Sequence, residues 1–289
     1  MLNRIDILAP CKINLHLRVL NKRADGFHDI ESVFQLVSFS DELSISISGE
    51  KGSLEILSPN LQLPSVNTVS QAVELFRDLT DIKDGLRVNL IKHVPCGAGL
   101  GGGSSDAAAT LKALNSLFSA DVEKKSLFDM ASKIGSDVPF FLTGGAALVS
   151  GRGEKISSIP CRPDLFGVLV NPGVHVSTPE AYGLVDRWQE KKKRTTESWL
   201  SFESLGDHYK KPPKEWEFEN SFTEPVSELY PVVLELREKL RDYGADFTDM
   251  SGSGSSVYGI FENERDADLA KIMLCTHYPM CVKFLLLAS

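Results

Sequence analysis

Pro95-Cys96-Gly97-Ala98-Gly99-Leu100-Gly101-Gly102-Gly103-Ser104-Ser105-Asp106 places five glycines, two hydroxyls and one carboxylate between a strand-like and a helix-like stretch. Glycine has no Cβ, so successive backbone N–H groups can approach and wrap an anion. Leu86, Val88 and Leu90 alternate ahead of the stretch, and Leu111, Leu114 and Phe118 recur behind it at helical spacing. A helix starting here adds unpaired N–H donors and the positive end of its dipole. Ser104, Ser105 and Asp106 are all favoured N-cap types. The stretch reads as a phosphate cradle and points to a nucleotide-using enzyme; a purely structural glycine-rich turn would use the same residues.

Three other phosphate-binding patterns fit less well. Gly97, Gly99 and Gly102 satisfy G-x-G-x-x-G, but the dinucleotide fingerprint wants an acidic residue at the end of a second strand. Asp121 has the right separation yet precedes a polar helix start. A P-loop needs Lys-Ser or Lys-Thr after its last glycine, and none follows. The V-A-I-K, H-R-D and D-F-G elements of protein kinases do not occur.

Bulk properties narrow the class. The chain has 289 residues, 42% hydrophobic and 24% charged, enough for two ordinary domains. Its net charge of −8 argues against a nucleic-acid partner. No apolar run approaches a membrane span, and Arg4, Asp6 and Lys12 interrupt the N-terminal apolar positions, against a signal peptide. Five cysteines without a C-x-x-C pair argue against a disulfide or zinc framework and for a reducing cytoplasm.

Along the chain, Ile5–Leu8, Lys12–Val19, Glu31–Phe39 and Glu42–Ser48 read as strands. Helices are expected from about Thr68 to Leu79 and from Glu123 to Gly135. Asp137 falls in a polar turn leading to an apolar strand. A domain boundary is placed near Gly153, giving an N-terminal domain over 1–153 and a C-terminal one over 154–289. Strands are expected at Gly167–Asn171, Val257–Phe261 and near Val282–Leu287. Leu229, Val233, Leu236 and Leu240 predict one amphipathic helix over Pro225–Tyr243, stopped at Gly244. A further helix carries Leu269, Ile272 and Met273. The segment Asp186–Asn220, with its Lys191–Arg194 charge run, reads least clearly and suggests a solvated face or loop.

Read together, four segments resemble one family. Ala9-Pro10-Cys11-Lys12-Ile13-Asn14-Leu15, the glycine loop, Gly135-Ser136-Asp137-Val138-Pro139-Phe140-Phe141 and Ser251-Gly252-Ser253-Gly254-Ser255-Ser256 look like the motifs of the GHMP small-molecule kinases, in the family's order. Arg23-Ala24-Asp25-Gly26-Phe27-His28 resembles the subfamily that phosphorylates a cytidine-diphosphate-linked methylerythritol. The resemblance implies an α/β (α+β) protein of two domains. The first would be like domain 2 of ribosomal protein S5 and the second ferredoxin-like. It further implies ATP-dependent phosphorylation of the 2-hydroxyl of 4-diphosphocytidyl-2-C-methyl-D-erythritol, in non-mevalonate isoprenoid precursor synthesis.

Carried over residue by residue, the resemblance makes Lys12 and Asp137 the catalytic pair. Asp137 would accept the proton of the attacking hydroxyl. Lys12, a cation in an apolar run, would steady negative charge, although strand alternation also permits an outward-facing lysine. Pro95, Gly97, Gly99, Gly101, Gly102, Gly103, Ser104 and Ser105 would hold the ATP phosphates, and Asn67 the adenine side. Asn14, Asp25, Phe27, His28, Thr178, Tyr182, Gly252, Ser253 and Gly254 would bind the acceptor, with Phe27 and Tyr182 stacking on cytosine. Phe27 stands where the family more usually has tyrosine, which keeps stacking and loses a hydroxyl. Without the resemblance, Phe27 and Tyr182 read equally as core residues, and Asp25 as a turn former. Because the loop lacks a lysine, Mg2+ is expected to travel with ATP, on ligands the sequence does not identify. The partner is a small molecule, not nucleic acid or membrane. Another GHMP kinase, for homoserine, mevalonate or a sugar, and a non-catalytic nucleotide or metabolite sensor are the alternatives.

Overall fold

The computed structural model describes residues 3–192 and 199–288. Lys193 and Arg194 of the charge run therefore lie outside the described residues. In chain order the strands are β1 (Arg4–Lys22), β2 (His28–Ile47), β3 (Leu54–Leu57), β4 (Leu86–Ile91), β5 (Ala146–Gly151), β6 (Lys155–Ile159), β7 (Phe166–Asn171), β8 (Phe247–Met250), β9 (Val257–Phe261) and β10 (Met280–Leu285). The helices are α1 (Thr68–Thr80), α2 (Gly102–Leu117), α3 (Lys124–Ile134), α4 (Val138–Thr143), α5 (Thr178–Lys192), α6 (Leu205–Lys210), α7 (Thr223–Leu229), α8 (Val232–Asp242) and α9 (Glu264–Leu274). The chain forms two interleaved compact units, and the long strands β1 and β2 each pass through both.

The first unit comprises Met1–Cys11, Ser40–Cys96 and Gly101–Gly144. The second half of β2 pairs antiparallel with β4, Glu42 opposite Ile91, and β3 pairs parallel with β4. On β4, Leu86, Val88 and Leu90 are buried and the residues between them are exposed, the alternation of a half-buried strand. α1 begins where the Asn67 side chain accepts from Val69 N and Ser70 N. It ends at Asp81, which adopts φ 55° and returns its N–H to Arg77 O. Between these caps Val69, Ala72, Val73 and Phe76 are buried. Burial of each large apolar side chain contributes roughly 1.5–3 kcal/mol. α2 packs on α1, α3 and α4, an approach that its buried Ala107, Ala108, Ala109 and Ala113 permit.

The second unit comprises Lys12–Phe39, Gly97–Leu100 and Gly145–Ser289. Here the first half of β2 pairs with β5, and β5 with β6, all antiparallel. A four-stranded sheet runs β10-β7-β9-β8 with every neighbour antiparallel. Numbered within itself, that sheet is 4-1-3-2, the ferredoxin-like order. α8 and α9 pack on its strands, and Val168, Val170, Leu236, Leu240, Val257 and Phe261 share its core.

Several elements differ from the sequence expectation. The strands expected at Ile5–Leu8 and Lys12–Val19 are one strand, because residues 11–17 are buried on both faces and the alternation disappears. Glu31–Phe39 and Glu42–Ser48 also merge; the polar Ser38–Asp41 is not a break, since Asp41 is buried inside the strand. The helix expected over Pro225–Tyr243 is two helices, divided at Tyr230 and Pro231, as proline lacks the N–H that would continue the ladder. The apolar residues after Asp137 form α4 rather than a strand, with Pro139 in its first turn. The N-cap of α2 is Gly101 and not Ser104, Ser105 or Asp106. Short strands β3, β6 and β8 and the helices α5 and α6 had no signal of their own.

Candidate active site

The expected site residues fall in both units. In the first unit, α2 opens on Gly101 at φ 68°, a conformation that glycine adopts without the Cβ penalty. Its N-cap, Gly101, offers no side-chain oxygen to the first-turn N–H groups. Gly102 and Gly103 bring no side chain across them. Ser105 N–H donates to Gly101 O at 2.9 Å and its hydroxyl to Pro10 O at 2.7 Å, while Ser104 is half-buried on the same turn. Asp137 stands half-buried at the N-terminus of α4. Lys112 of α2 donates to Phe141 O at 2.7 Å, tying the two helices, and burial lowers its pKa. Asn67 uses its carboxamide as the α1 cap and donates Nδ2 to Pro64 O at 2.9 Å. Pro95 is half-buried and Cys96 exposed.

In the second unit Lys12 is 4% exposed, with Nζ 2.5 Å from Asn14 Oδ1 and 4.5 Å from the centroid of Phe34. Asn14 Nδ2 donates to Ser32 Oγ at 3.1 Å, its N–H to Ser251 Oγ at 3.2 Å, and its carbonyl accepts from Tyr258 OH at 2.9 Å. Ser251 Oγ in turn donates to Gly99 O at 2.8 Å. The two glycine loops touch there: a Cβ on Gly99 would lie 1.9 Å from Ser251 O, so this approach admits glycine alone. Gly252 and Gly254 hold φ of 56° and 87°. Gly97 faces His175, whose Cε1 a Cβ would meet at 3.0 Å. Thr178 Oγ1 and Ser253 Oγ are 3.3 Å apart.

The segment expected to meet a base lies in the same unit. Asp25 accepts from Phe27 N–H at 3.2 Å and pairs with Arg23, as a turn aspartate does. Phe27 is 54% exposed, with the Arg152 guanidinium 5.0 Å from its ring centroid. His28 is buried; its Nε2 is 2.9 Å from Asp186 Oδ1 and its ring stacks on Tyr182 at 4.9 Å and 18°. Tyr182 meets Phe222 edge-on at 4.9 Å.

Sequence reasoning missed the residues that hold these groups in place. Asn220 donates Nδ2 to Met250 O and Gly252 O, at 2.8 and 2.9 Å, and so fastens the second glycine loop. Within the second glycine motif that the sequence does mark, Ser256 Oγ accepts from Asn171 at 3.1 Å and Ser255 bonds to Val174 O. Ser32, Asp186 and Asn220 are single polar residues outside any motif; burial alone marks Ser32 and Asn220. Among the described residues no group of three or more His, Cys, Asp or Glu side chains could hold a metal, and no helix is long and apolar enough to cross a membrane.

Comparison with known proteins follows the same lines. The family described as GHMP kinases N terminal domain matches residues 67–145, and GHMP kinases C terminal matches 210–279. A 4-diphosphocytidyl-2-C-methyl-D-erythritol kinase of Treponema pallidum (strain Nichols) is 39% identical, with 96% of this chain and 97% of that protein covered. The crystal structure of a 4-(cytidine 5'-diphospho)-2C-methyl-D-erythritol kinase superposes with a TM-score of 0.79 at 32% identity, covering 98% of this chain and 99% of its own. A homoserine kinase from Cytophaga hutchinsonii shares the fold at TM-score 0.76 and 19% identity, over 100% and 96% of the two chains. The chain belongs to the GHMP kinases and, within them, to the 4-diphosphocytidyl-2-C-methyl-D-erythritol kinase family.

Proposed function

We propose that this enzyme transfers the γ-phosphoryl group of ATP to the 2-hydroxyl of 4-diphosphocytidyl-2-C-methyl-D-erythritol. The observation that carries the reading is the start of α2, where the N-cap Gly101 offers no side-chain oxygen to the first N–H groups. The amides of Gly102, Gly103 and Ser104 would hold the phosphates. Asp137 would take the proton of the attacking hydroxyl as the bond to phosphorus forms. Lys12, held on Asn14, would stabilise the charge that develops on the transferring group. Hard oxygen donors suit Mg2+, and the Ser104 hydroxyl would share it with the phosphates; when bound, it neutralises phosphate charge.

On the acceptor side, Phe27 offers an exposed aromatic face. His28, anchored on Asp186 and Tyr182, gives the segment beside it a fixed position from which to hydrogen-bond a base. The test is a coupled ADP-release assay with ATP and Mg2+, offering the cytidine-linked acceptor beside free methylerythritol phosphate, homoserine, mevalonate and galactose. Turnover with the cytidine-linked acceptor alone is expected. Turnover with another acceptor overturns the substrate, and ATP binding without turnover on any overturns the kinase reading.

A further inference from the structure

A buried ionic cluster in the first unit has no part in the proposed chemistry. Lys92, just past the C-terminal end of β4, directs Nζ to Asp41 Oδ2 and, at 2.7 Å, to Asp106 Oδ2. The three side chains are 7%, 0% and 3% exposed. Asp41 also accepts from the N–H groups of His93 and Val94 at 2.6 and 2.8 Å. These two residues immediately precede Pro95, where the glycine loop departs, while Asp106 lies in the second turn of α2, where the loop has become helix. A Cβ on Gly102 would meet Val94 Cγ1 at 3.0 Å and Lys92 Nζ at 3.4 Å, so the arm before the loop is packed directly against the first residue after it.

Such a cluster is costly to bury. Burial works against the Lys92 charge, yet Asp106 and Asp41 outweigh it and raise the lysine pKa. Burial pushes the Asp106 carboxyl up, with the Lys92 ammonium pulling it down. Asp106 Oδ1 has no hydrogen-bond partner among the described residues, an expense that apolar packing would avoid. What the cluster supplies in return is geometry: one ammonium joins a carboxylate that fixes the backbone before the loop to one that sits on the helix after it.

We propose that Asp41, Lys92 and Asp106 are positioning residues that hold the two ends of the glycine loop in register, and that this register sets the affinity for nucleotide phosphates. The inference rests on the reading of Gly101–Ser104 as the phosphate cradle. Three probes separate it from a merely structural role: ATP in steady-state kinetics, ADP by calorimetry, and adenosine, which lacks phosphates, as a competitive inhibitor. Asp106→Ala removes the link to the helix; losing one charge-assisted hydrogen bond is expected to raise KM for ATP and Kd for ADP about tenfold. Adenosine inhibition and kcat should stay within about twofold of the parent.

Asp106→Asn keeps an oxygen for the Lys92 ammonium and is expected to restore KM to within about twofold. Asp106→Ser, too short to reach Lys92, reads the same split should the alanine variant not fold. An unchanged KM with only a lower melting temperature, or an equal loss of adenosine affinity, overturns the proposal. Gly101→Val tests the underlying reading separately. If it leaves KM for ATP unchanged the cradle itself is misassigned, whereas a raised KM there beside a normal Asp106→Ala overturns the positioning role alone.

Discussion

Lys12 is an ammonium 4% exposed, and a buried cation is tolerated only where partners or function repay its desolvation. Asn14 Oδ1 at 2.5 Å and the face of Phe34 at 4.5 Å help to aim the ammonium. Asp137 stands half-buried at the N-terminus of α4. If it is the base, Asp137→Asn retains shape and loses proton affinity. The variant is expected to lower the single-turnover rate by ~10²-fold or more while ADP affinity, read by calorimetry, stays within about twofold. A single-turnover rate near that of the parent removes Asp137 from the mechanism.

At the scale of elements, the site is built from helix starts of opposite design. α1 is closed by a side chain: Asn67 caps it and Ser70 Oγ accepts from the Asn67 N–H, so its amides are consumed internally. α2 starts on a glycine, which has no side chain to cap it. That contrast separates a cap from a nucleotide contact at Asn67. Asn67→Asp preserves capping and is expected to hold unfolding stability within about 0.5 kcal/mol, whereas Asn67→Ala costs about 1 kcal/mol. Both should be read in urea melts beside KM for ATP. If KM rises in the alanine variant but not in the aspartate, the residue serves nucleotide binding through the helix; a rise in both assigns the carboxamide itself to the adenine. The second glycine loop depends on Asn220 in a similar way, since one carboxamide satisfies two of its carbonyls.

At the scale of the molecule, buried His16 of the second unit contributes a stability that acid removes. Burial first, then the charges of Arg18 and His208, lower its pKa from 6.5 to about 3. Its Nδ1 accepts from the Glu219 N–H at 3.2 Å, and Trp199 and Phe218 lie against the ring. Below pH 6.5 the unfolded chain takes up a proton that the folded one refuses, so this stability is complete above pH 6.5 and is lost as pH falls toward 3. Between pH 7 and pH 5 the difference amounts to roughly 2 kcal/mol. Urea melts at the two pH values should show the parent losing about 2 kcal/mol more than His16→Gln, whatever the variant's absolute stability. Equal slopes would mean that His16 titrates normally.

The amino-acid sequence by itself determined the features that depend on neighbours along the chain. The helical spacing of Val69, Ala72, Val73 and Phe76, the alternation on β4 and the glycine-rich turn before α2 were all legible there, and so were the motifs that carry the family. Tertiary structure alone decided what depends on burial and on residues far apart in the chain. It made β1 and β2 each continuous across polar or proline positions and set Gly101 rather than a hydroxyl side chain at the start of α2. It also chose the partners of isolated polar groups: Asp41 for Lys92, Asp186 for His28, Asn220 for the second glycine loop. The physical reason is that backbone propensity and periodicity act over a few residues. A buried charge or carboxamide is paid for only by whichever partner the fold delivers, and no local pattern records that choice.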